Sequence, residues 1–155
     1  MRQDGHKEFP KVDLVQFNRV KAGPDAAPLL NVPAGARLYS VVNKLSLSGE
    51  PAVIDEILLP ESLFPKLTEK RLKDRPGTLY QFYQDEFGVT VIRTVERLRA
   101  VKADALKSRL LGMKVGDPLL MIIRAALSFR DNPVELRHSD VDTRRYEYYS
   151  ELMGG

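Results

Sequence analysis

The chain of 155 residues has no cysteine, no tryptophan and only two histidines, His6 and His138. Without thiols there is no disulfide, no thiolate nucleophile and no cysteine–zinc site, a composition that fits a cytoplasmic protein. Long apolar runs are missing too. The longest strictly aliphatic stretch is Leu119–Ile123, against roughly 20 residues for a membrane helix. The opening residues, MRQDGHKEF, are charged and hold no apolar segment, so they do not read as a secretory signal. Charge of one sign is scarce: 24 basic against 21 acidic residues, a net of +3. That excess is too slight to mark a nucleic-acid binder. Reaction signatures are absent as well: no G-x-S-x-G, no Walker A loop, no G-x-G-x-x-G and no H-E-x-x-H.

What remains is an ordinary globular composition, 43% hydrophobic and 29% charged, long enough for one domain with a real core. Its organising feature is an echo. VKAGPDAAPLLNVPAG (20–35) returns as VKADALKSRLLGMKVG (101–116). Val20/Val101, Lys21/Lys102, Ala22/Ala103, Leu29/Leu110, Leu30/Leu111 and Gly35/Gly116 are identical at an offset of 81. Past a turn the offset becomes 82, with Ser46/Ser128 and Pro51/Pro133.

The surrounding pattern repeats with it. Strands are expected at 12–22, 36–48 and 52–60, with a short helix in PDAAPLLN and a turn at GEP (49–51). The second copy gives strands at 89–103, 117–129 and 134–142, a helix in DALKSRLL with Ala103, Leu106 and Leu110 at helical spacing, and a turn at RDNP (130–133). Each copy alone would expose an apolar face. Two copies can pack as halves of one barrel-like antiparallel sheet enclosing a cavity, and the seam is a natural place for a ligand.

Between the copies, 60–67 reads as irregular, TEKRLKDR (68–75) as helical and PGTLYQFYQDEFG (76–88) as a helix. Leu79, Phe82, Tyr83 and Phe87 form the apolar side of that last helix. Thr78 with Gln81 three positions on is a capping pattern, and Gly88 marks the stop. Thr78 is either a plain cap or the start of a helix whose free N–H groups receive an anion. The basic run Lys66, Lys70, Arg71, Lys73 and Arg75, interrupted by Glu69 and Asp74, reads as a solvated face rather than a nucleic-acid contact.

Candidates for chemistry are few. No cofactor or metal is expected. The nearest carboxylate pair, Asp140 and Asp142, reads as an exposed strand end. Asp55 and Glu56 are adjacent and point to opposite faces of a strand, so they cannot form an acid–base pair. Arg124 is the one charge inside a long apolar strand. It needs an anionic partner, internal or bound.

The order LLNVPAGARLYSVVNKLSLSGEPAVIDEILLP … GTLYQFYQDEFGV … LLGMKVGDPLLMIIRAALSFRDNPVE resembles the UTRA domain, the effector-binding half of GntR-type transcriptional regulators of the HutC subfamily. The resemblance covers roughly residues 12–152. It implies an α+β fold, an antiparallel sheet flanked by helices and shared with chorismate lyase. It also implies a small-molecule effector, a homodimer, and DNA contact only through a winged-helix domain that this chain does not include. On that reading residues 1–11 are a tail or linker and 12–153 the ligand-binding domain.

The resemblance also carries over site positions. Many relatives hold Arg-x-Arg where this chain has Asn43 and Leu45, so the phosphate-binding pair is missing. Asp55 stands where a Glu is common. Thr78 opens the conserved-order helix, Glu135 is retained, and Val141 replaces a frequent tyrosine. Strand alternation sets Glu135, Arg137, Ser139 and Val141 on one face, and Arg124 is the pseudo-symmetric partner of Asn43. An enzyme like chorismate lyase and a dimerisation module without ligand are the alternatives.

Overall fold

The computed structural model describes residues 10–144 and 146–148; His6 and the outer parts of the expected tail and C-terminal boundary lie outside them. Eleven short elements alternate along the chain. The first copy supplies β1 (Lys11–Lys21), α1 (Ala26–Leu30), β2 (Arg37–Leu47) and β3 (Glu50–Pro60). The insert supplies α2 (Glu69–Lys73) and α3 (Leu79–Phe87). The second copy supplies β4 (Arg93–Lys102), α4 (Ala105–Leu111), β5 (Pro118–Leu127) and β6 (Pro133–Val141). A 3-10 turn at Phe129–Asp131 joins β5 to β6. The fold is α+β.

All six strands form one antiparallel sheet in the order β1-β2-β3-β6-β5-β4. The order is a palindrome about the β3–β6 seam. Glu56 and His138, 82 positions apart (138 − 56), face each other across that seam, so the pseudo-twofold axis runs through this pair. The expected barrel does not form. β1 and β4 are open edges, carrying Lys11, Arg19 and Lys21 on one and Arg93, Arg97, Arg99 and Lys102 on the other. Like charges along an edge discourage strand-to-strand aggregation.

The echo has a backbone cause. Each copy must leave an edge strand, make a short helix and re-enter the sheet beside the strand it left. Ala22 N–H donates to Ala36 O and Gly35 N–H to Ala22 O, each at 2.8 Å. The second copy reproduces both bonds at Ala103/Asp117 and Gly116/Ala103, again at 2.8 Å. Gly35 (φ +83°) and Gly116 (φ +91°) hold a left-handed turn that an L side chain resists. The helices stop in the same way, on Asn31 (φ 52°) and Gly112 (φ 66°).

The two hairpins differ. β2 turns into β3 at Ser48 and Gly49, both at positive φ, one residue ahead of the expected turn. The β5–β6 connection is longer, which is where the offset changes.

Alternation sorts the sheet into two faces. α1 and α4 cover one, packing Leu30 and Ala27 with Leu38 and Leu136, and Leu111 and Ala103 with Val42 and Ile54. On α4 the buried positions are Ser108 and Leu111. Leu106, at helical spacing from Ala103 and Leu110, is 39% exposed, because a helix of seven residues presents only one narrow stripe to the sheet. α2 and α3 cover the other face, where Tyr39, Ile57, Phe64, Phe82 and Tyr83 form the largest apolar cluster. Phe64 meets Tyr83 edge-on at 4.9 Å between centroids, which orients α3 as well as burying it.

Candidate functional site

On the α3 face, register brings a band of polar residues to the middle of the sheet. Asn43 pairs with Asp55, Asp55 with Ser139, and Arg137 with Arg124 on the next strand. The band crosses β2, β3, β6 and β5 and runs through the seam. The first turn of α3 lies over it. Between them is a cavity of about 470 Å³ lined by Asn43, Leu45, Asp55, Thr78, Arg124 and Arg137. Those are six of the eight residues singled out from the sequence. The wall opposite the sheet is Arg75, Gly77, Leu79 and Tyr80. A smaller cavity of about 250 Å³ adjoins it, sharing Val12, Asn43, Arg75 and Gly77.

The remaining two residues lie elsewhere. Val141 sits in the apolar cluster with Ala52, Ile122 and Tyr146. Glu135 is fully buried and does not line the cavity. Its carboxylate lies behind Arg137, accepting from Nε at 2.9 Å on one oxygen and from Nη2 at 2.9 Å on the other. Tyr83 of α3 donates its hydroxyl to the same carboxylate at 2.5 Å. Glu135 therefore clamps α3 to β6 and fixes the arginine that faces the cavity. Burial alone would lower the Arg137 guanidinium, but the Glu135 carboxylate holds it well above its ordinary pKa. Burial, reinforced by Glu135, raises Tyr83, so its hydroxyl stays a donor. The Arg137 guanidinium also lies 5.5 Å from the Tyr80 ring centroid.

Asp55 is the cavity's own carboxylate. Ser139 donates its hydroxyl to one oxygen at 2.5 Å, and Arg137 stands 3.9 Å from the other. Burial raises its pKa from 3.8, with Arg137 and Ser139 pulling against that rise. Its neighbour Glu56 points to the opposite face, 3.9 Å from Lys107, as alternation requires.

Arg124 has an internal partner, Glu96 on β4, at 3.6 Å, and Tyr148 donates its hydroxyl to the same carboxylate at 3.0 Å. The pairing is incomplete: Arg124 Nε is buried with no hydrogen-bond partner among the described residues.

At the start of α3, Thr78 Oγ1 accepts from the Gln81 N–H at 3.2 Å. It is thus a true cap. It leaves the N–H groups of Leu79 and Tyr80 without an intrahelical acceptor at the positive end of the helix.

Sequence reasoning missed Arg75 and Tyr80. Arg75 belongs to the basic run read as a solvated face. Arg71 in that run behaves as read: it pairs with Glu86 at 3.3 Å and covers the Phe87 ring at 4.6 Å. But α2 ends at Lys73, so Arg75 leaves the helical register and turns to the cavity. The Pro76–Gly77 break that follows it was the available signal.

Asp140 and Asp142 correct another expectation. They are 0% and 1% exposed, not a solvated strand end. Lys107 meets Asp140 at 2.8 Å across the helix–sheet interface, and Arg144 meets Asp142 at 2.7 Å. Both carboxylates are held by cations of this chain.

A pseudo-twofold sheet thus carries, under a helix start, a cavity whose mostly apolar lining is crossed by a band of polar side chains, an arrangement suited to a small ligand. The chain belongs to the UTRA domain family, whose model matches residues 5–147. Its fold is close to the ligand-binding domain of a protein assigned to the GntR family of transcriptional regulators from Bordetella bronchiseptica. The TM-score is 0.89 at 32% identity, over 96% of this chain and 93% of that one. The effector domain of PhnF from Mycobacterium smegmatis shares the fold at a TM-score of 0.79 and 22% identity, covering 92% of this chain and 86% of that one.

Among curated proteins, one named as the fructoselysine utilization operon transcriptional repressor of Escherichia coli (strain K12) is 25% identical over 126 residues, 81% of this chain and 51% of the relative. The HTH-type transcriptional regulator GmuR of Bacillus subtilis (strain 168) is 25% identical over 129 residues, 83% of this chain and 52% of the relative. The chain thus spans about half the length of the curated relatives it matches. No helix among the described residues is long and apolar enough to cross a membrane.

Proposed function

We propose that the chain is the sensing part of a bacterial transcriptional regulator of the HutC type. A small metabolite occupies the cavity between the polar band and the start of α3. The single observation that carries this is the convergence of Asn43, Leu45, Asp55, Thr78, Arg124 and Arg137 on one cavity. The family relationship and the regulators among its relatives point the same way. Asp55 accepts from a hydroxyl or amine of the effector. The free N–H groups of α3 receive an oxygen-rich or anionic group. Arg137, held by Glu135, and Arg124, held by Glu96, supply positive charge from the sheet.

The protein acts as a cytoplasmic homodimer, and a separate winged-helix domain contacts DNA. An effector can alter that contact only by binding one arrangement of the dimer more tightly than the other. α3 is the element placed to respond. Its first turn roofs the cavity while its Tyr83 is bonded to β6.

Binding without turnover is favoured over catalysis by the state of the carboxylates. Glu135 is sealed behind Arg137, and among the described residues Asp55 is the one carboxylate lining the cavity. The experiment is a thermal-melt screen against carboxylates, sugars and amino acids, with each stabilising compound recovered and analysed. Unchanged recovery with raised melting supports the sensor. Conversion to product identifies an enzyme. The absence of any stabilisation across the library supports a dimerisation module instead.

A further inference from the structure

The cavity is a trough with a cation at each end, and that shape bears on what it holds. Asn43, Asp55 and Ser139 occupy successive strands, and Ile122, two residues from Arg124, is paired with Ser139. Asn43 and Arg124 are therefore three strands apart, about 14 Å at about 4.8 Å per strand. Arg75 belongs to the Asn43 end, because it lines the smaller adjoining cavity with Val12, Leu14 and Asn43 and with no residue of β3, β5 or β6.

The two end groups share an unusual state. Arg75 donates from Nη1 to the Leu72 carbonyl at 2.6 Å, but among the described residues its buried Nε has no hydrogen-bond partner and no carboxylate pairs with it. Arg124 Nε is likewise buried and unpartnered. Beside Arg75, Asn43 is 3% exposed and lines both cavities. A buried donor without an acceptor is costly, and a guanidinium more so. Between the ends the situation reverses. Arg137 has its charge balanced by the Glu135 carboxylate, bonded through Nε and Nη2, while the Asp55 oxygen that Ser139 does not reach accepts no hydrogen bond among the described residues and has only Arg137 Nη1 nearby, at 3.9 Å. The trough therefore offers donor, acceptor, donor along its length.

We propose that the effector is an elongated metabolite with an oxyanion at each end, a dicarboxylate or its phosphate equivalent, and a hydroxyl or amine between them. Arg75 with the α3 N–H groups takes one end, Asp55 the middle and Arg124 the other end. The inference rests on the cavity being the effector site.

Its test uses the chain itself with succinate, adipate and suberate as probes, hexanoate as the one-ended control and glucose 6-phosphate as a one-ended phosphate. Affinity is read by calorimetry, and location by backbone amide chemical shifts. The expected result is that one diacid binds more tightly than hexanoate and glucose 6-phosphate. Arg75→Gln and Arg124→Gln should each weaken that diacid by about thirtyfold or more, whereas hexanoate, with a single carboxylate, should respond to only one of the two. Arg124→Lys, compared by circular dichroism and unliganded melting, separates loss of charge from loss of fold.

Equal binding of hexanoate and the best diacid overturns the two-ended inference and leaves the cavity as the effector site. So does diacid binding indifferent to Arg124→Gln, or no binding by any diacid. Diacid shifts confined to the α1–α4 face of the sheet overturn both this inference and the site itself.

Discussion

Tyr83→Phe removes one hydroxyl and tests whether Glu135 ties α3 to the sheet. Tyr83 and Glu135 are both 0% exposed, and their bond is 2.5 Å. A hydrogen bond to a charged group contributes roughly 1.5–3 kcal/mol net. Glu135 keeps both Arg137 bonds in the variant, so its charge is not stranded and the loss falls at the lower end, about 1.5–2 kcal/mol. For a chain of this length each kcal/mol shifts Tm by about 2–4 °C, so Tm should fall by about 3–8 °C.

Glu135→Ala is a harsher change. It leaves the Arg137 guanidinium with Asp55, 3.9 Å away, as its one carboxylate among the described residues, and takes from the Tyr83 hydroxyl the acceptor it bonds. Stranding one member of a buried pair costs about 3–5 kcal/mol. Urea unfolding followed by circular dichroism reads both variants. In the combined Glu135→Ala/Arg137→Ala chain the loss should be smaller than the sum of the two single losses, because the second change removes the stranded charge. A Tyr83→Phe protein within about 0.5 kcal/mol of the native one, together with additive losses in the double variant, would refute the clamp.

Asp55 makes a pH prediction. Its folded pKa lies above 3.8, so the folded state binds the extra proton and stability declines as pH rises from 3.8 through the folded value. Asp55→Asn should flatten that decline, read as Tm against pH in matched buffers; an unchanged slope would show that Asp55 does not titrate abnormally. Lys107→Met strands Asp140, which is fully buried, and should cost about 3–5 kcal/mol in urea unfolding. Gly35→Ala and Gly116→Ala force an L side chain into φ +83° and +91°, and each should cost roughly 1–2 kcal/mol. Similar losses at the two positions would bear out the equivalence of the copies, and a loss at only one would break it.

The fold was legible largely because it is written twice. Strand periodicity alone marks a run such as LLMIIRAAL as apolar, but the echo tells which strand it matches and that the two copies are halves of one sheet; that β3 and β6 meet at the seam came only from the structure. Closure was not legible. Whether an edge strand meets its counterpart depends on twist and tilt, which no pair of identities encodes.

At the site, alternation set Glu135 and Arg137 on one face and sent Asp55 and Glu56 to opposite faces, without saying which of those two faces the cavity. It could not distinguish the carboxylate at the cavity from the one behind it, because that depends on which side chain reaches the helix. Glu135 reaches Tyr83, and the sequence separation of those two residues leaves no local trace. Arg75 was hidden by its neighbours. In a run of charges its direction follows from where α2 stops, and helix ends are the least predictable boundaries. Asp140 and Asp142 were misread as solvated because their cations, Lys107 and Arg144, come from outside the strand that carries them.

The central claim is that a metabolite binds under the first turn of α3, over the seam between the two copies. Backbone amide chemical shifts of the labelled chain, recorded with the compound that raises its melting point most, test it directly. The account predicts that the largest shifts fall on Asn43, Asp55, Leu79, Tyr80 and Arg124, with α1 and α4 nearly silent. Shifts centred on α1, α4 or the exposed edge of β4, with the amides at the start of α3 unmoved, would contradict it.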